Sequence, residues 1–359
     1  MSDLAKMKII DAHQHLHDVR RLDDLMALGR EFGYDAVTIA CWPCGGVANL
    51  AQNAGAILAK AAYPGRVYAF GGLEYHWPDA APDRIDPASQ LEELLAIGFD
   101  GLKMLEGKPT VRKDLGIALD APLYDGLFTL CQERQTPILY HVADPEGFWD
   151  GEKVPQWAVN RGWFYGDGSY PTKQQLYDEV EAMLEKFPGL NLFFAHFYFK
   201  SMDPAGTEAI FERFPTVCFD ICPGTEMYPN FSIAPDEWRD IFTRYQDRII
   251  YGTDLTGKPS PEARPRMELV RRFLETDEPF DYYRMKIHGI GLAKAVLEKI
   301  YHKNFERLTG QPEPLEMERA LGHCRQTSER AGALPAPAGD KVREALEHIL
   351  SRLEAPLAR

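Results

Sequence analysis

The 359-residue chain has no apolar run approaching the roughly 20 residues that a bilayer-spanning helix needs. Its opening stretch, MSDLAKMKIIDAH, holds no apolar core of the kind a signal peptide carries, so the sequence reads as a cytoplasmic protein without a membrane partner. Basic residues are in deficit. Forty Lys and Arg stand against 54 Asp and Glu, a formal net charge of −14, and nucleic acid is not expected as a partner, because phosphate backbones are bound by cationic patches that displace counterions. Cysteine is scarce: Cys41, Cys44, Cys131, Cys218, Cys222 and Cys324 are too scattered for a disulfide framework. Cys41 and Cys44 form a C-x-x-C, but no second pair completes a zinc site, and the motif follows an apolar run instead of opening a thioredoxin-like unit. Free thiols are expected, with Cys44 lining a pocket. No G-x-G-x-x-G follows the first apolar run, which speaks against a dinucleotide site. Nothing in the composition, 45% hydrophobic and 26% charged, suggests disorder.

What is present is a rhythm. Apolar runs rich in β-branched and aromatic residues recur at residues 8–15, 34–42, 66–74, 99–105, 137–143, 190–198, 216–222 and 248–255. Between them lie amphipathic stretches such as SQLEELLAIG and TKQQLYDEVEAMLEKFP, several closed by Gly or Pro, which read as helices. Strand and helix alternating about eight times is the pattern of an α/β (β/α)8 barrel, the TIM barrel.

Two additions depart from a minimal barrel. Residues 144–171, DPEGFWDGEKVPQWAVNRGWFYGDGSYP, form a long insertion after the fifth strand whose aromatic content predicts an ordered lid over the barrel mouth. Beyond residue 260 the chain reads as helical, with ALPAPAGD as a linker before a last helix. The domains expected are a barrel over 1–310 and a helical extension over 311–359, whose final helix packs on the barrel's outside or on a second copy in a homo-oligomer.

Barrel enzymes carry catalytic groups at the C-terminal ends of the strands. Here the first strand, KIIDAHQHLH, ends in His13 and His15, the fourth carries Lys103, the fifth ends in His141, the sixth in His196 and the eighth in Asp254. Strict alternation places Asp11, His13, His15 and His17 on one face, although His17 falls past the strand end. Neutral imidazoles and a carboxylate converging at a barrel mouth suit zinc or a related divalent ion. Each histidine alone would read as a hydrogen-bonded core residue; together, at strand ends, they read as a site.

D-A-H-x-H on the first strand, His ending the fifth and sixth, and G-T-D ending the eighth resemble the amidohydrolase superfamily. More closely the chain is similar to the branch holding aminocarboxymuconate-semialdehyde decarboxylase-like enzymes and sugar-acid lactonases, over about residues 8–310, with GFDGLKML, RIIYGTDL and a terminal helix containing Asn304 in support. The resemblance implies that His13, His15, His141 and Asp254 bind a metal, Zn2+ with Mn2+ as an alternative. His196 would be a ligand or hold substrate or water, and Asp254 would also transfer the proton. Lys103 would contact substrate beside a single ion or, carboxylated, bridge two; one ion is preferred. His76, Glu74, Trp163, Tyr165 and Glu226 are candidate substrate contacts around the mouth. The chemistry implied is hydrolysis of an amide, lactone or other cyclic carbonyl of a small molecule; the alternatives are decarboxylation of an unsaturated or aromatic acid and a barrel that binds without catalysing.

Overall fold

The computed structural model describes residues 7–78, 85–224, 226–257 and 261–355. The first six residues of the opening stretch and the last four of the extension lie outside these. Eight parallel strands stand in chain order: β1 (Ile10–Gln14), β2 (Ala36–Ala40), β3 (Val67–Gly71), β4 (Gly101–Gly107), β5 (Ile138–Val142), β6 (Leu192–Phe194), β7 (Val217–Asp220) and β8 (Ile249–Ile250). Seven of them fall inside one of the eight apolar runs, and β4 begins in the fourth run and ends two residues beyond it. The connections carry α1 (Leu22–Glu31), α2 (Gln52–Ala62), α3 (Pro87–Ile97), α4 (Pro109–Leu115), α5 (Asp125–Arg134), α6 (Gln156–Val159), α7 (Lys173–Lys186), α8 (Pro204–Arg213), α9 (Met227–Phe231) and α10 (Pro235–Arg244). Local chemistry sets their ends: Asp86 accepts from the Ala88 and Ser89 amides ahead of Pro87, and Thr172 with Gln175 forms a capping box on α7.

The barrel closes where β1 meets β8. Ala12 N donates to Tyr251 O (3.0 Å), Asp254 N to His13 O (2.8 Å) and His15 N to Leu255 O (2.6 Å). Gly252 sits on this seam because a Cβ there would fall 2.5 Å from Cys222 Sγ and 3.2 Å from His13 Cβ. The inner core of Ile10, Ala12, Phe70, Leu139 and Phe193 is plugged from below by Phe305 and Leu308 of α13 (Asn304–Thr309). Asn304 Nδ2 fixes that helix by donating to the carbonyls of Gln246 and Ile249, each at 2.7 Å.

The expectation of strict alternation along β1 is corrected. Opposite β2, Asp11 pairs with Val37 but Gln14 with Ile39, so three steps on β1 face two on β2, a β-bulge. Ile10 and Ala12 point into the barrel core, His13 and His15 line the mouth, and Asp11 drops out of their face to staple the seam. It accepts from His13 N (3.2 Å), Gln14 Nε2 (2.6 Å), Thr253 N (3.1 Å) and the Thr253 hydroxyl.

After β8 the helical expectation holds in α11 (Ala263–Glu275), in α12 (Lys294–Glu298), which runs through a π-helical turn into α13, and in α14 (Met317–Ala331) and α15 (Ala338–Glu354). It fails between α11 and α12. There β9 (Pro279–Tyr282) and β10 (Met285–His288) form an antiparallel hairpin, and the run FDYYRMKI supplies the aromatic and β-branched residues that favour it. The last two helices pair with each other and pack outside the barrel on α2 and α3, with α15 starting two residues before the end of the expected linker. Among the described residues no helix is long and apolar enough to cross a membrane.

Candidate metal centre

His13 and His15 are oriented by what their inner nitrogens touch. His13 Nδ1 donates to Asp220 Oδ2 at 2.8 Å, and His15 Nδ1 donates to the Ala40 carbonyl at 2.6 Å. A carbonyl can only accept, and Asp220 already accepts through Oδ1 from the backbone amides of His196 (2.7 Å) and Cys222 (3.0 Å). Both outer Nε2 atoms are therefore bare lone pairs. They face each other at 3.2 Å, and Asp254 Oδ1 stands 3.3 Å from His15 Nε2. Three acceptor atoms without a proton among them repel one another unless a cation lies between. Tetrahedral Zn–N contacts of about 2.0–2.1 Å require donors about 3.3 Å apart, so the spacing fits such an ion. His13, His15 and Asp254 form one set of donor atoms within 4.8 Å of one another, and His13, Asp220 and Cys222 form a second.

Burial favours the neutral form of His13, His141 and His196, the form a metal ligand takes. It drives His13 well below the usual histidine range, reinforced by the neighbouring Lys103 charge, and brings His141 and His196 down to about 4. Asp254 behaves differently: burial pushes its carboxyl up, but the ring of imidazoles around it, His15 first and then His196 and His13, favours its charged form and holds it well below the carboxylate range. Arg266 of α11 donates to Asp254 Oδ2 at 3.2 Å.

His196 follows β6 in a left-handed turn, with φ of 55° at His196, 55° at Phe197, 52° at Tyr198 and 50° at Phe199. Such backbone is unfavourable for residues with a Cβ, and clusters of it mark functional sites. Here the Asp220 carboxylate holds the His196 amide while His196 Nδ1 donates to Cys222 O at 3.2 Å, which leaves Nε2 as the free lone pair. The His196 ring lies 5.5 Å from His13 and 5.0 Å from His141. His141 Nε2 donates toward Ala143 O (3.0 Å) and Asp144 Oδ1 (3.3 Å). His141 and His196 thus flank the three-donor set without belonging to it.

These groups open into a cavity of about 1370 Å3 at the C-terminal ends of the strands. Lys103 is at its floor, with a buried Nζ that has no hydrogen-bond partner among the described residues; burial lowers it to about 8 against the pull of Asp220 and Asp254. Trp163 lines the wall with Phe148 and Trp157, and the hairpin adds Tyr282 and Tyr283. Other expected contacts lie elsewhere. Glu74 accepts from Asn53 Nδ2 (3.2 Å) and the Trp77 indole, while His76 Nε2 donates to Cys44 O (2.7 Å), and neither lines the cavity. Tyr165 is buried in the lid's own core, and Glu226 lines a separate cavity of about 310 Å3 behind Phe199. His17 is exposed on the rim, 5.4 Å from the Trp42 ring. The six cysteines are free and buried, and Cys44 does not reach the cavity. Asp220, Arg266 and Asp144 escaped sequence reasoning. The "CFDIC" of the seventh run did carry a signal for Asp220, an acid ending a buried strand.

The sequence model of the amidohydrolase family matches residues 10–310. The chain belongs to the amidohydrolase family. Among solved structures this chain is similar to a putative amidohydrolase from Staphylococcus aureus, at 19% identity over 85% of this chain and 100% of that one with a TM-score of 0.56. It is also similar to a TIM-barrel protein from Bordetella bronchiseptica (16%, 88% and 99%, 0.54) and to 5-carboxyvanillate decarboxylase from Sphingomonas paucimobilis (13%, 84% and 99%, 0.53). At such identities the likeness is one of fold. No curated protein matches the chain.

Proposed function

We propose that the protein is a metal-dependent hydrolase that opens an amide, lactone or other cyclic carbonyl of a small molecule. The observation that carries this reading is the arrangement of His13 Nε2, His15 Nε2 and Asp254 Oδ1 as facing lone pairs at the mouth of the large cavity. A divalent cation on these atoms, with Zn2+ the match by ligand type and Mn2+ the alternative, would supply an activated water near neutral pH and polarise the substrate carbonyl.

The chain's own residues divide the remaining work. Asp254 accepts from Arg266 through Oδ2 and leaves Oδ1 facing the space beside His15 Nε2, so it is placed to take a proton from water and return it to the leaving group. Arg266 fixes which oxygen faces the cavity. His196 turns its free Nε2 to the same space and orients water or substrate; Lys103 offers a floor charge to a substrate carboxylate or developing oxyanion. Trp163 and Phe148, stacked at 6.4 Å, form an apolar wall for a ring.

Decarboxylation of an aromatic or unsaturated acid is the second reading. It is favoured by that aromatic wall and by the S. paucimobilis decarboxylase having the same fold. A panel of lactones, cyclic amides and unsaturated acids, followed by appearance of the ring-opened carboxylate and by carbon dioxide release in parallel, separates the two. Ring opening without carbon dioxide is expected, and carbon dioxide from an active substrate would overturn the hydrolase. Metal analysis of protein purified without chelator is expected to give about one ion per chain; far less would favour a barrel that only binds.

A further inference from the structure

The buried carboxylate of Asp144 joins three parts of the molecule, the ends of β4 and β5 and the returning limb of the insertion. It opens the 144–171 insertion three residues after His141 and is 3% exposed. Oδ1 faces His141 Nε2 at 3.3 Å, while Oδ2 accepts from the Lys108 ammonium and from the Tyr165 hydroxyl, both at 2.6 Å. Lys108 comes from the end of β4, and its ammonium lies 4.3 Å from the centre of the Trp163 ring. Tyr165 belongs to the returning limb of the insertion. Its backbone amide donates to Phe148 O at 2.8 Å, and its ring packs on Trp149 and Tyr170, each at 4.9 Å, within a small core that the insertion builds for itself. The insertion therefore docks as a preformed unit, and Asp144 is where that unit meets the His141 ring.

We propose that Asp144 is a positioning residue that ties docking of the aromatic lid to the orientation of His141. With the lid down, Tyr165 and Lys108 hold Oδ2, so Oδ1 is fixed facing His141. The imidazole proton then stays on Nε2 and the Nδ1 lone pair is presented. With the lid lifted, Asp144 loses one of its two neutralising donors at Oδ2 and is free to turn, and the His141 ring loses its fixed partner. Closure over a substrate and alignment of the histidine thus become one event. For its consequence in turnover the proposal rests on the enzymatic reading above, so its test uses no turnover.

Tyr165→Phe removes one hydroxyl, and Tyr165 makes no ring contact with His141; its ring partners are Phe148, Trp149 and Tyr170. Two measurements are made on the purified full-length protein. Trypsin cleavage at the exposed Lys153 and Arg161 reports lid docking, and the ring nitrogen signals of 15N-histidine-labelled protein report the His141 tautomer and environment. Tyr165→Phe is expected to speed lid cleavage about tenfold, the size of a lost charge-assisted hydrogen bond, and to shift the His141 ring signals toward those of Asp144→Asn. Faster cleavage with unmoved His141 signals would overturn the coupling and leave Asp144 a lid peg. Unchanged cleavage would overturn the anchor itself. Both outcomes are readable if the protein hydrolyses nothing in the panel, so failure of this proposal is distinct from failure of the hydrolase.

Discussion

The mouth of the barrel has two unlike walls. Along β6, β7, β8 and β1 the site residues are fixed by short contacts to backbone, to a buried carboxylate or to a guanidinium: His13 by Asp220, His15 by the Ala40 carbonyl, His196 by Asp220 and the Cys222 carbonyl, and Asp254 by Arg266. Along β4 and β5 the buried polar atoms are less well served. Lys103 Nζ in the cavity, and Glu106 Oε2 and Tyr140 Oη on the same strands outside its lining, find no hydrogen-bond partner among the described residues, and ordering depends on a lid held through Asp144. Unsatisfied buried groups are costly, whereas a saturated network is rigid. The first wall is thus built as a preorganised centre, and the second keeps capacity that a ligand at Lys103 would use.

The largest expected effect tests the first wall. Asp254→Asn should lower kcat about 10²- to 10⁴-fold on any substrate the panel yields, the usual range for a lost general base. A loss under threefold, with metal content intact, would remove Asp254 from proton transfer. Next comes the second wall. Burial pushes Glu106 up to about 7 from the 4.5 of an ordinary glutamate. Below pH 4.5 the group is protonated in both folded and unfolded chains and costs nothing. Between 4.5 and 7 the unfolded chain ionises first, so stability falls as pH rises, by up to about 3 kcal/mol, and is level above 7. Glu106→Gln keeps the neutral form, so denaturant midpoints should match wild type at pH 4 and exceed it at pH 8. Equal midpoints at both would mean that the cluster around Tyr75 already meets the charge.

The same two walls explain how much was legible in the sequence. The strands were readable because each is a buried, largely apolar run, and the placement of His13, His15, His141, His196 and Asp254 at the cavity was readable because an ionisable residue ending such a run has few reasons to be there. The bulge in β1 was not readable. It depends on Asp11 finding Thr253, 242 residues away, and only the closed barrel brings them together. Asp220 was hidden because a single acid on β7 acquires its meaning from the ring nitrogen opposite. Glu74 and His76 misled for the converse reason: both lie near the mouth in sequence, but Asn53, Trp77 and the Cys44 carbonyl turn them away from it.

Asp220→Asn sharpens the comparison at a smaller scale. It keeps the shape but weakens the acceptor for His13 Nδ1, and partners of this kind are typically worth about 10–100-fold in metal affinity, measurable by chelator competition. Affinity unchanged within twofold would mean that backbone geometry alone aims the imidazole.

The smallest effect concerns the lid face. Trp163 receives the Lys108 ammonium on one contact and stacks near Phe148 on another, so its ring is held whether or not a substrate is present. If it serves as a platform for a substrate ring, Trp163→Ala removes about 0.5–1.5 kcal/mol of aromatic contact, a rise in KM of roughly two- to twelvefold with kcat little changed. Trp163→Phe should restore most of it, since the stacking face survives. A fall in kcat at constant KM would instead show that the ring acts through Lys108 on Asp144, transferring its effect from the wall that binds substrate to the contact that aligns His141.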